Sequence, residues 1–329
     1  MRLIVVAREA GSIEGRTMTA AAQERTQDTT GRVGVKRRRY RDNVWGYVLL
    51  LPWLLGFVLL TVGPMLASLV LSFTDFDLLS APNWVGLENY VRMLTDDDRF
   101  TKSLQVTTTY VLLGVPLELA FALLVAIVLN RGLRGLDFYR SAFYLPSLLG
   151  GSVAIAVLWR QVFGRDGLVN DVLSVFGIEG PSWISDPSYS LFTLVVLNVW
   201  QFGAPMVIFL AGLRGIPDEL YEAAAVDGAG VLRRFWSITI PLLTPIIFFN
   251  LVLRLINSFQ AFTPAFIISG GTGGPTDSTL FYTLYLYQEG FAYFRMGYAS
   301  ALAWILLLII AAVTAVNFAL SKYWVNYDR

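Results

Sequence analysis

Six long apolar stretches constrain this chain more than any other feature of its sequence. Crossing about 30 Å of hydrocarbon as a helix takes roughly 20 residues, and each stretch meets that length. Some are longer and would tilt or extend past the bilayer. The stretches run over residues 45–73, 104–129, 141–163, 189–213, 239–269 and 296–321. The sequence therefore predicts an all-α membrane protein with six transmembrane helices.

Composition narrows the chemistry that such a protein can perform. Apolar residues make up 55% of the chain and charged residues 15%, well away from the averages of soluble proteins. Cysteine and histidine are both absent. Their absence excludes disulfides, thiolate nucleophiles, haem, the usual zinc and copper sites and the commonest general base. Carboxylates remain, but no spacing suggests a catalytic dyad or a metal site, so we expect neither an enzyme nor a bound cofactor.

The distribution of lysine and arginine predicts the orientation in the membrane, because basic residues collect in cytoplasmic segments. Basic residues are concentrated before the first stretch, after the second, after the fourth and in the tail, at Lys36, Arg37, Arg38, Arg39, Arg41, Arg131, Arg134, Arg140, Arg214, Arg233, Arg234, Lys322 and Arg329. The alternate loops are more acidic. Both termini are therefore predicted to be cytoplasmic.

The N-terminal segment differs from the rest of the chain. Residues 1–43 are polar and basic, with no sustained apolar run, and are predicted to form a disordered cytoplasmic tail. Residues 44–329 form the predicted membrane domain. Translation from Met18 rather than Met1 is a hypothesis prompted by the unstructured leader.

The loop between the fourth and fifth stretches, about residues 214–241, has a pattern of its own. Its central part reads EAAAVDGAGVLRRFWSITIP from Glu222 to Pro241. The pattern predicts a short helix, a glycine break, a second short helix and a proline that opens the next long helix. Gly228 can take the positive φ that ends a helix. A helical hairpin at the membrane surface is well shaped to dock into another protein.

This loop resembles the EAA loop of ABC importer permeases. The family pattern is E-A-A, three residues, G, nine residues, I, one residue, then L-P, and Ile240 stands where leucine is usual. The pattern is matched at Glu222, Ala223, Ala224, Gly228, Ile238 and Pro241. In the family this loop carries the coupling helix that fits a groove on the ATPase subunit. A solvated amphipathic loop without a partner is the alternative interpretation.

The resemblance extends over roughly residues 45–329 and is best for permeases of carbohydrate importers, of the maltose and multiple-sugar type. The similar stretches are Val85–Phe100, Phe138–Gly150, Trp183–Pro187, Ile216–Gly230, Ile267–Thr279 and Gly297–Ile310. The resemblance implies the type I ABC importer permease fold and a place in the bacterial inner membrane. It also implies three kinds of partner: a second, homologous permease, an ATPase dimer and an extracytoplasmic sugar-binding protein. No nucleic-acid partner is expected.

The sequence contains no phosphate-binding loop of the form G-x-x-x-x-G-K-[ST], so ATP and magnesium would be bound by the partner ATPase. Two other classes stay open. One is an ABC permease for another solute, such as glycerol phosphate, a polyol or a peptide. The other is a secondary transporter or channel, which would not need the EAA loop and would work without an ATPase.

Polar residues inside the apolar stretches indicate where a solute would pass, since they are costly in lipid. Amides suit hydroxyl-rich ligands because they both donate and accept hydrogen bonds. We expect a pathway lined by the fourth and fifth stretches, at Asn198, Gln201, Asn250, Arg254, Asn257 and Gln260. Aromatic neighbours that could stack on sugar faces are Trp200, Phe259 and Phe262. The alternative is interhelical hydrogen bonding that holds the bundle together.

Arg254 has three possible roles. It can bind an anion such as a sugar phosphate, pair with Glu118 of the second stretch, or extend its charged end to the membrane surface. Glu118 is the only acidic residue deep in any stretch. The sequence leaves these three roles open.

Overall fold

The structure, a computed structural model, describes residues 35–132 and 135–326. Most of the predicted N-terminal tail lies outside these residues, as do Arg134 and Arg329. The first helix begins at Val35, within the stretch predicted as tail. The chain divides into two compact units, Met1–Leu66 and Ala67–Arg329, and the site described below lies within the second unit.

Helices account for nearly all the regular structure of the described residues. In chain order they are α1 (Val35–Phe57), α2 (Gly63–Leu71), α3 (Glu88–Thr95), α4 (Asp98–Leu129), α5 (Leu136–Leu149), α6 (Val153–Val162), α7 (Leu168–Val175), α8 (Pro187–Trp200), α9 (Gly203–Arg214), α10 (Asp218–Val226), α11 (Val231–Arg234), α12 (Ile240–Phe259), α13 (Thr263–Ile268), α14 (Tyr282–Tyr287) and α15 (Met296–Trp324). Short π-helical segments lie at Val58–Val62, Phe235–Thr239 and Gln288–Ala292. The described residues contain no β-strand, only an isolated bridge between Thr74 and Trp84.

The predicted all-α membrane architecture is confirmed, but two of the expected spans are not straight. Among the described residues, four helical runs are long and apolar enough to cross a membrane: Gly46–Leu71, Asp98–Leu129, Val231–Ile268 and Met296–Trp324. The other two expected spans are bent pairs. The α5–α6 pair turns by 99° and the α8–α9 pair by 42°. Hydropathy gave the length of these stretches correctly and could not locate the breaks.

The second unit is built around α4. This helix packs against α8, α9 and α12, and its contact face carries small side chains. Val115, Ala122 and Ala126 are fully buried there. Small residues let helix backbones approach closely, which is how helices associate in a bilayer where the hydrophobic effect gives little help.

Polar side chains fasten the segment after α13 to one end of the helix bundle. Arg99 donates from Nε and Nη2 to the two carboxylate oxygens of Asp277, both at 3.0 Å. Asp97 accepts hydrogen bonds from Tyr285 and Tyr298. Burial raises the pKa of the Asp97 carboxyl, but these hydrogen bonds outweigh it and the pKa lies below its ordinary value.

The other end of the bundle carries the EAA-like loop and the C-terminal end of α15. Asn326 donates from its backbone nitrogen to Thr244 Oγ1 at 2.8 Å, close to the start of α12. The loop at residues 214–241 and the segment held by Arg99 therefore lie at opposite ends of the second unit.

Candidate functional site

A polar cavity of about 200 Å³ lies in the second unit where the two broken helix pairs meet α4 and α12. Residues from the α5–α6 break, the end of α8, the C-terminal half of α12 and the start of α13 line it. They are Tyr110, Gly151, Asn198, Gln201, Arg254, Asn257, Ser258, Ala261, Phe262, Thr263 and Pro264. Discontinuous helices that free backbone groups around a polar site are typical of solute pathways in transporters.

A buried network of one ion pair and two hydrogen bonds supports one wall of this cavity. Arg254 Nη1 lies 3.2 Å from Glu118 Oε1, and Asn198 donates from Nδ2 to Glu118 Oε2 at 3.2 Å. Tyr110 in turn donates its hydroxyl proton to Asn198 Oδ1 at 3.1 Å. Glu118 is fully buried, whereas the Arg254 side chain keeps 20% of its surface exposed towards the cavity.

This network supports one of the three roles left open for Arg254, the pairing with Glu118. The guanidinium pairs with Glu118 and does not reach a membrane surface. Burying two charges is costly, and the mutual attraction and the Asn198 hydrogen bond offset part of that cost. Arg254 still presents unused N–H donors to the cavity, because a guanidinium has five and Glu118 engages few of them.

Close backbone contacts allow the two breaks to approach each other. A Cβ on Gly203 would lie 2.1 Å from the carbonyl oxygen of Phe143, and a Cβ on Gly150 would lie 2.2 Å from the Gln201 side chain. Ser147 links the breaks further. It donates to the Gln201 carbonyl at 2.8 Å and accepts from the Ala204 backbone N–H at 2.8 Å. These bonds satisfy backbone groups that the break in α8–α9 leaves free.

Four of the six predicted pathway residues line the cavity, namely Asn198, Gln201, Arg254 and Asn257. Asn250 does not. It is buried about one turn before Arg254 and donates to the carbonyl of Ile246 at 3.0 Å. Helical periodicity placed Asn250 on the correct face of α12, but it says nothing about how deep along that face a cavity extends.

Gln260 also lies elsewhere. It is the C-cap residue of α12 and lines a separate, largely apolar groove along α15. Of the three aromatic residues expected near the pathway, Phe262 lines the cavity. Phe259 is buried in the core, and Trp200 packs against Trp159 with 5.9 Å between ring centroids.

Sequence reasoning missed several residues of the site. Tyr110 gave no signal, because a tyrosine within an apolar stretch is unremarkable. Glu118 was not missed: an acidic residue deep in a span needs a partner, and the sequence offered it as one for Arg254. Gly151, Thr263 and Pro264 line the cavity only because the chain breaks beside them, and those breaks were not predicted.

The EAA-like loop forms a helical hairpin, here called the coupling hairpin (residues 218–241). Its first helix, α10, ends in a Schellman motif: Ala229 donates from its backbone nitrogen to Ala224 O at 2.9 Å, and Gly228 donates to Ala225 O at 3.0 Å. Gly228 has a φ of 75°, as the sequence predicted for the residue that ends this helix. The motif satisfies carbonyls at the helix end and turns the chain sharply.

The second arm of the hairpin differs from the expectation of a separate short helix. α11 continues through the π-helical segment Phe235–Thr239 directly into α12, with Pro241 in the first turn of α12. Proline has no N–H to donate to the preceding turn, so a local widening to π geometry beside it is a physically reasonable accommodation. Tyr221 and Thr239 share a hydrogen bond of 2.9 Å that ties the two arms together.

The tip of the coupling hairpin exposes apolar side chains. Val226 is 89% exposed, and Val231 and Leu232 are each 73% exposed. Glu222 and Ala223 are exposed beside them, while Ala224 and Ile238 are half-buried. A cluster of exposed aliphatic residues rimmed by charge is typical of a surface that packs against another protein.

Comparison with known proteins identifies the family. The model of the family described as "Binding-protein-dependent transport system inner membrane component" matches residues 95–324, which include the cavity and the coupling hairpin. The chain belongs to this family. It is therefore a multi-pass inner-membrane transporter subunit, and the predictions of an importer permease and of its location are confirmed.

Named relatives of this permease cover most of the chain. A probable ABC transporter permease, YesP of Bacillus subtilis, is 54% identical over 289 residues, covering 88% of this chain and 94% of that protein. The arabinooligosaccharide permease AraP of Halalkalibacterium halodurans is 34% identical, covering 86% and 89%. A bacterial alginate ABC transporter, solved in complex with an alginate-loaded periplasmic protein, has a chain with the same fold. That chain has a TM-score of 0.74, is 21% identical, and the match covers 88% of this chain and 97% of that one.

Proposed function

We propose that this permease moves a carbohydrate through the polar cavity, driven by an ATPase that docks on the coupling hairpin. The observation that carries the proposal is the meeting of two broken helix pairs at a cavity lined by amide, guanidinium and hydroxyl groups. Such groups can replace the water around a polyhydroxylated solute. Named relatives that transport arabinooligosaccharides support a carbohydrate as the solute.

The pathway residues are Asn198, Gln201, Arg254 and Asn257. They come from the C-terminal end of α8 and from α12, and they face one space. Glu118 stands behind Arg254 and compensates its charge. The cavity wall is therefore polar without a net charge, which suits a solute recognised by its hydroxyl groups.

The complex would contain a second, homologous permease, an ATPase dimer that binds ATP and magnesium, and an extracytoplasmic binding protein that delivers the sugar. In this arrangement both termini and the coupling hairpin face the cytoplasm. Closure of the ATPase pair pushes the hairpin and rocks the helices between inward-facing and outward-facing states. The exposed aliphatic tip of the hairpin supports this docking, and Glu222, Ala223, Ala224, Gly228, Ile238 and Pro241 form or shape its surface.

Purification from the native membrane in mild detergent tests the proposal. Mass spectrometry of what co-purifies should find an ATPase with a phosphate-binding loop and a second permease with an EAA loop. The reconstituted complex should take up a sugar in proteoliposomes only when ATP and the loaded binding protein are both supplied. Recovery of this chain alone, moving solute without ATP, would instead establish a secondary carrier or channel.

A further inference from the structure

A second polar cleft opens at the end of the second unit that lies opposite the coupling hairpin. Its volume is about 530 Å³. One side is formed by the C-terminal turn of α6 and the segment before α8, and the other by the glycine-rich loop after α13. Arg160 carries the only charge among the described residues that line it.

The guanidinium of Arg160 is available for an incoming anion. Arg160 is exposed, and within the described part of the chain no carboxylate pairs with it, whereas Arg99 and Arg254 each have one. The neighbouring hydroxyls of Thr272 and Thr279 donate to backbone carbonyls of their own loop. Arg160 is therefore the strongest free donor in the cleft.

The glycine-rich wall is held in a fixed shape. Asp277 has a φ of 55°, an unfavourable conformation for a residue with a side chain. The two-pronged contact from Arg99 holds it there, and Arg99 also donates to Gln288 Oε1 at 3.1 Å. Gln288 donates in turn to the carbonyl of Gly271 at 2.7 Å. A preorganised loop loses little entropy when a partner binds, so it suits an interface.

Two packed helices connect this cleft with the central cavity. α6 and α13 contact each other along their lengths. Their N-terminal ends adjoin the cavity at Gly151 and Pro264, and their C-terminal ends adjoin the cleft at Arg160 and Ser269. A contact made in the cleft can therefore shift the residues that shape the cavity.

We infer that this cleft receives an acidic side chain of the extracytoplasmic binding protein, that Arg160 pairs with that side chain, and that Arg99 positions the opposite wall. The inference rests on the proposed function, which supplies both the binding protein and the orientation. A protein carboxylate fits better than a free sugar, because no aromatic side chain among the described lining residues offers a stacking surface. Arg160, the single unpaired cation among the described lining residues, also complements a single carboxylate.

The test uses the complete complex in proteoliposomes and the binding protein that stimulates it, loaded with its sugar. The ATPase rate is measured against the concentration of loaded binding protein. Arg160→Gln should raise the half-maximal concentration about tenfold and leave the maximal rate and the basal rate unchanged. At high salt, the half-maximal concentrations of the variant and the parent should differ less. Arg160→Lys should retain most of the affinity, and Arg99→Gln should shift the half-maximal concentration in the same direction.

Arg165→Gln is the matched control, because Arg165 is exposed in the turn just after α6 and does not line the cleft. An unchanged half-maximal concentration for Arg160→Gln would overturn the inference. A lower maximal rate at an unchanged half-maximal concentration would overturn it as well and would point to a sugar in the cleft. Absence of any stimulation in the parent complex would instead overturn the proposed function.

A second measurement does not depend on removing a charge. The chain has no cysteine, so a single introduced thiol is unique in it. Ser185→Cys, in the cleft, should carry a photocrosslinker onto loaded binding protein, whereas Ser174→Cys, exposed on α7, should not. Equal crosslinking from both positions would contradict docking in the cleft.

Discussion

Glu118 and Arg254 form a buried pair whose two members depend on each other. Glu118 is fully buried, and its polar contacts in the described residues are with Arg254 and Asn198. Removing one charge would leave the other without compensation in a medium of low dielectric constant, which costs far more than removing both. Single and double variants can therefore distinguish this buried pair from an ordinary surface ion pair.

Arg254→Gln should destabilise the purified protein by about 3 kcal/mol or more, since the Glu118 carboxylate loses its partner. The double variant Glu118→Gln/Arg254→Gln should recover most of that loss. Thermal unfolding in detergent measures both, with Arg165→Gln as a control of equal charge change. Additive losses in the double variant would show that the two side chains do not interact.

Gly228→Leu should leave the protein folded and inserted but abolish ATP-driven uptake. The left-handed conformation costs roughly 1–2 kcal/mol for a residue with a Cβ, so the hairpin would leave the shape that docks on the ATPase. Gly230→Leu is the matched control, because Gly230 has a φ of −67° and open space around it. Wild-type uptake by Gly228→Leu would contradict the coupling role.

A comparison of Asn257→Ala with Gln260→Ala tests whether the solute passes through the cavity or along the groove beside α15. Asn257 lines the cavity, and a lost hydrogen bond of about 1 kcal/mol should slow uptake several-fold. Gln260→Ala should stay close to normal, because Gln260 lies in the other groove. Initial rates of uptake by the reconstituted complex compare the two, and an equal defect in both would place the pathway differently.

At the scale of elements, the broken helix pairs depend on glycine at their contact. Gly203 meets the Phe143 carbonyl so closely that a methyl group cannot be added without moving one backbone. The bends of α5–α6 and α8–α9 are therefore coupled: the turn in one pair makes room for the turn in the other. Residues beside both breaks, Gly151 and Gln201, line the cavity.

Gly203→Ala should destabilise the protein by about 1–3 kcal/mol through overpacking and reduce uptake, because the two breaks would be forced apart. Gly151→Ala is the control, since a Cβ there meets nothing within 4 Å. Its melting temperature should match that of the parent. A Gly203→Ala variant as stable and active as the parent would mean that the contact does not hold the cavity open.

At the scale of the whole molecule, the second unit carries a different surface feature at each of its two ends. The coupling hairpin lies at one, and the cleft with Arg160 lies at the other. α4 runs between the two ends and packs on α8, α9 and α12. Motion at either end therefore has a continuous path of packed helices to the cavity.

Cysteine labelling in whole cells tests the orientation of these ends. Val175→Cys, 81% exposed on α7, should react with a membrane-impermeant maleimide in intact spheroplasts. Val226→Cys, 89% exposed on the coupling hairpin, should react only after permeabilisation. The cysteine-free parent sets the background, and the opposite pattern would reverse the predicted topology.

The sequence by itself determined the class of the protein, the positions of its apolar stretches and the turn at Gly228. Each of these follows from local properties: the length of an apolar run, and the φ that a residue without a Cβ can adopt. It also placed Asn198, Gln201, Arg254 and Asn257 among the candidates for the site, since polar residues are conspicuous inside apolar stretches.

Only the tertiary structure decided which candidates share a space. The pairing of Arg254 with Glu118, the exclusion of Asn250 and Gln260 from the cavity, and the two breaks all depend on contacts between residues far apart in the chain. Helical periodicity fixes the direction of a side chain around one axis. The packing of neighbouring helices sets the position of a bend in another helix and the depth of a cavity.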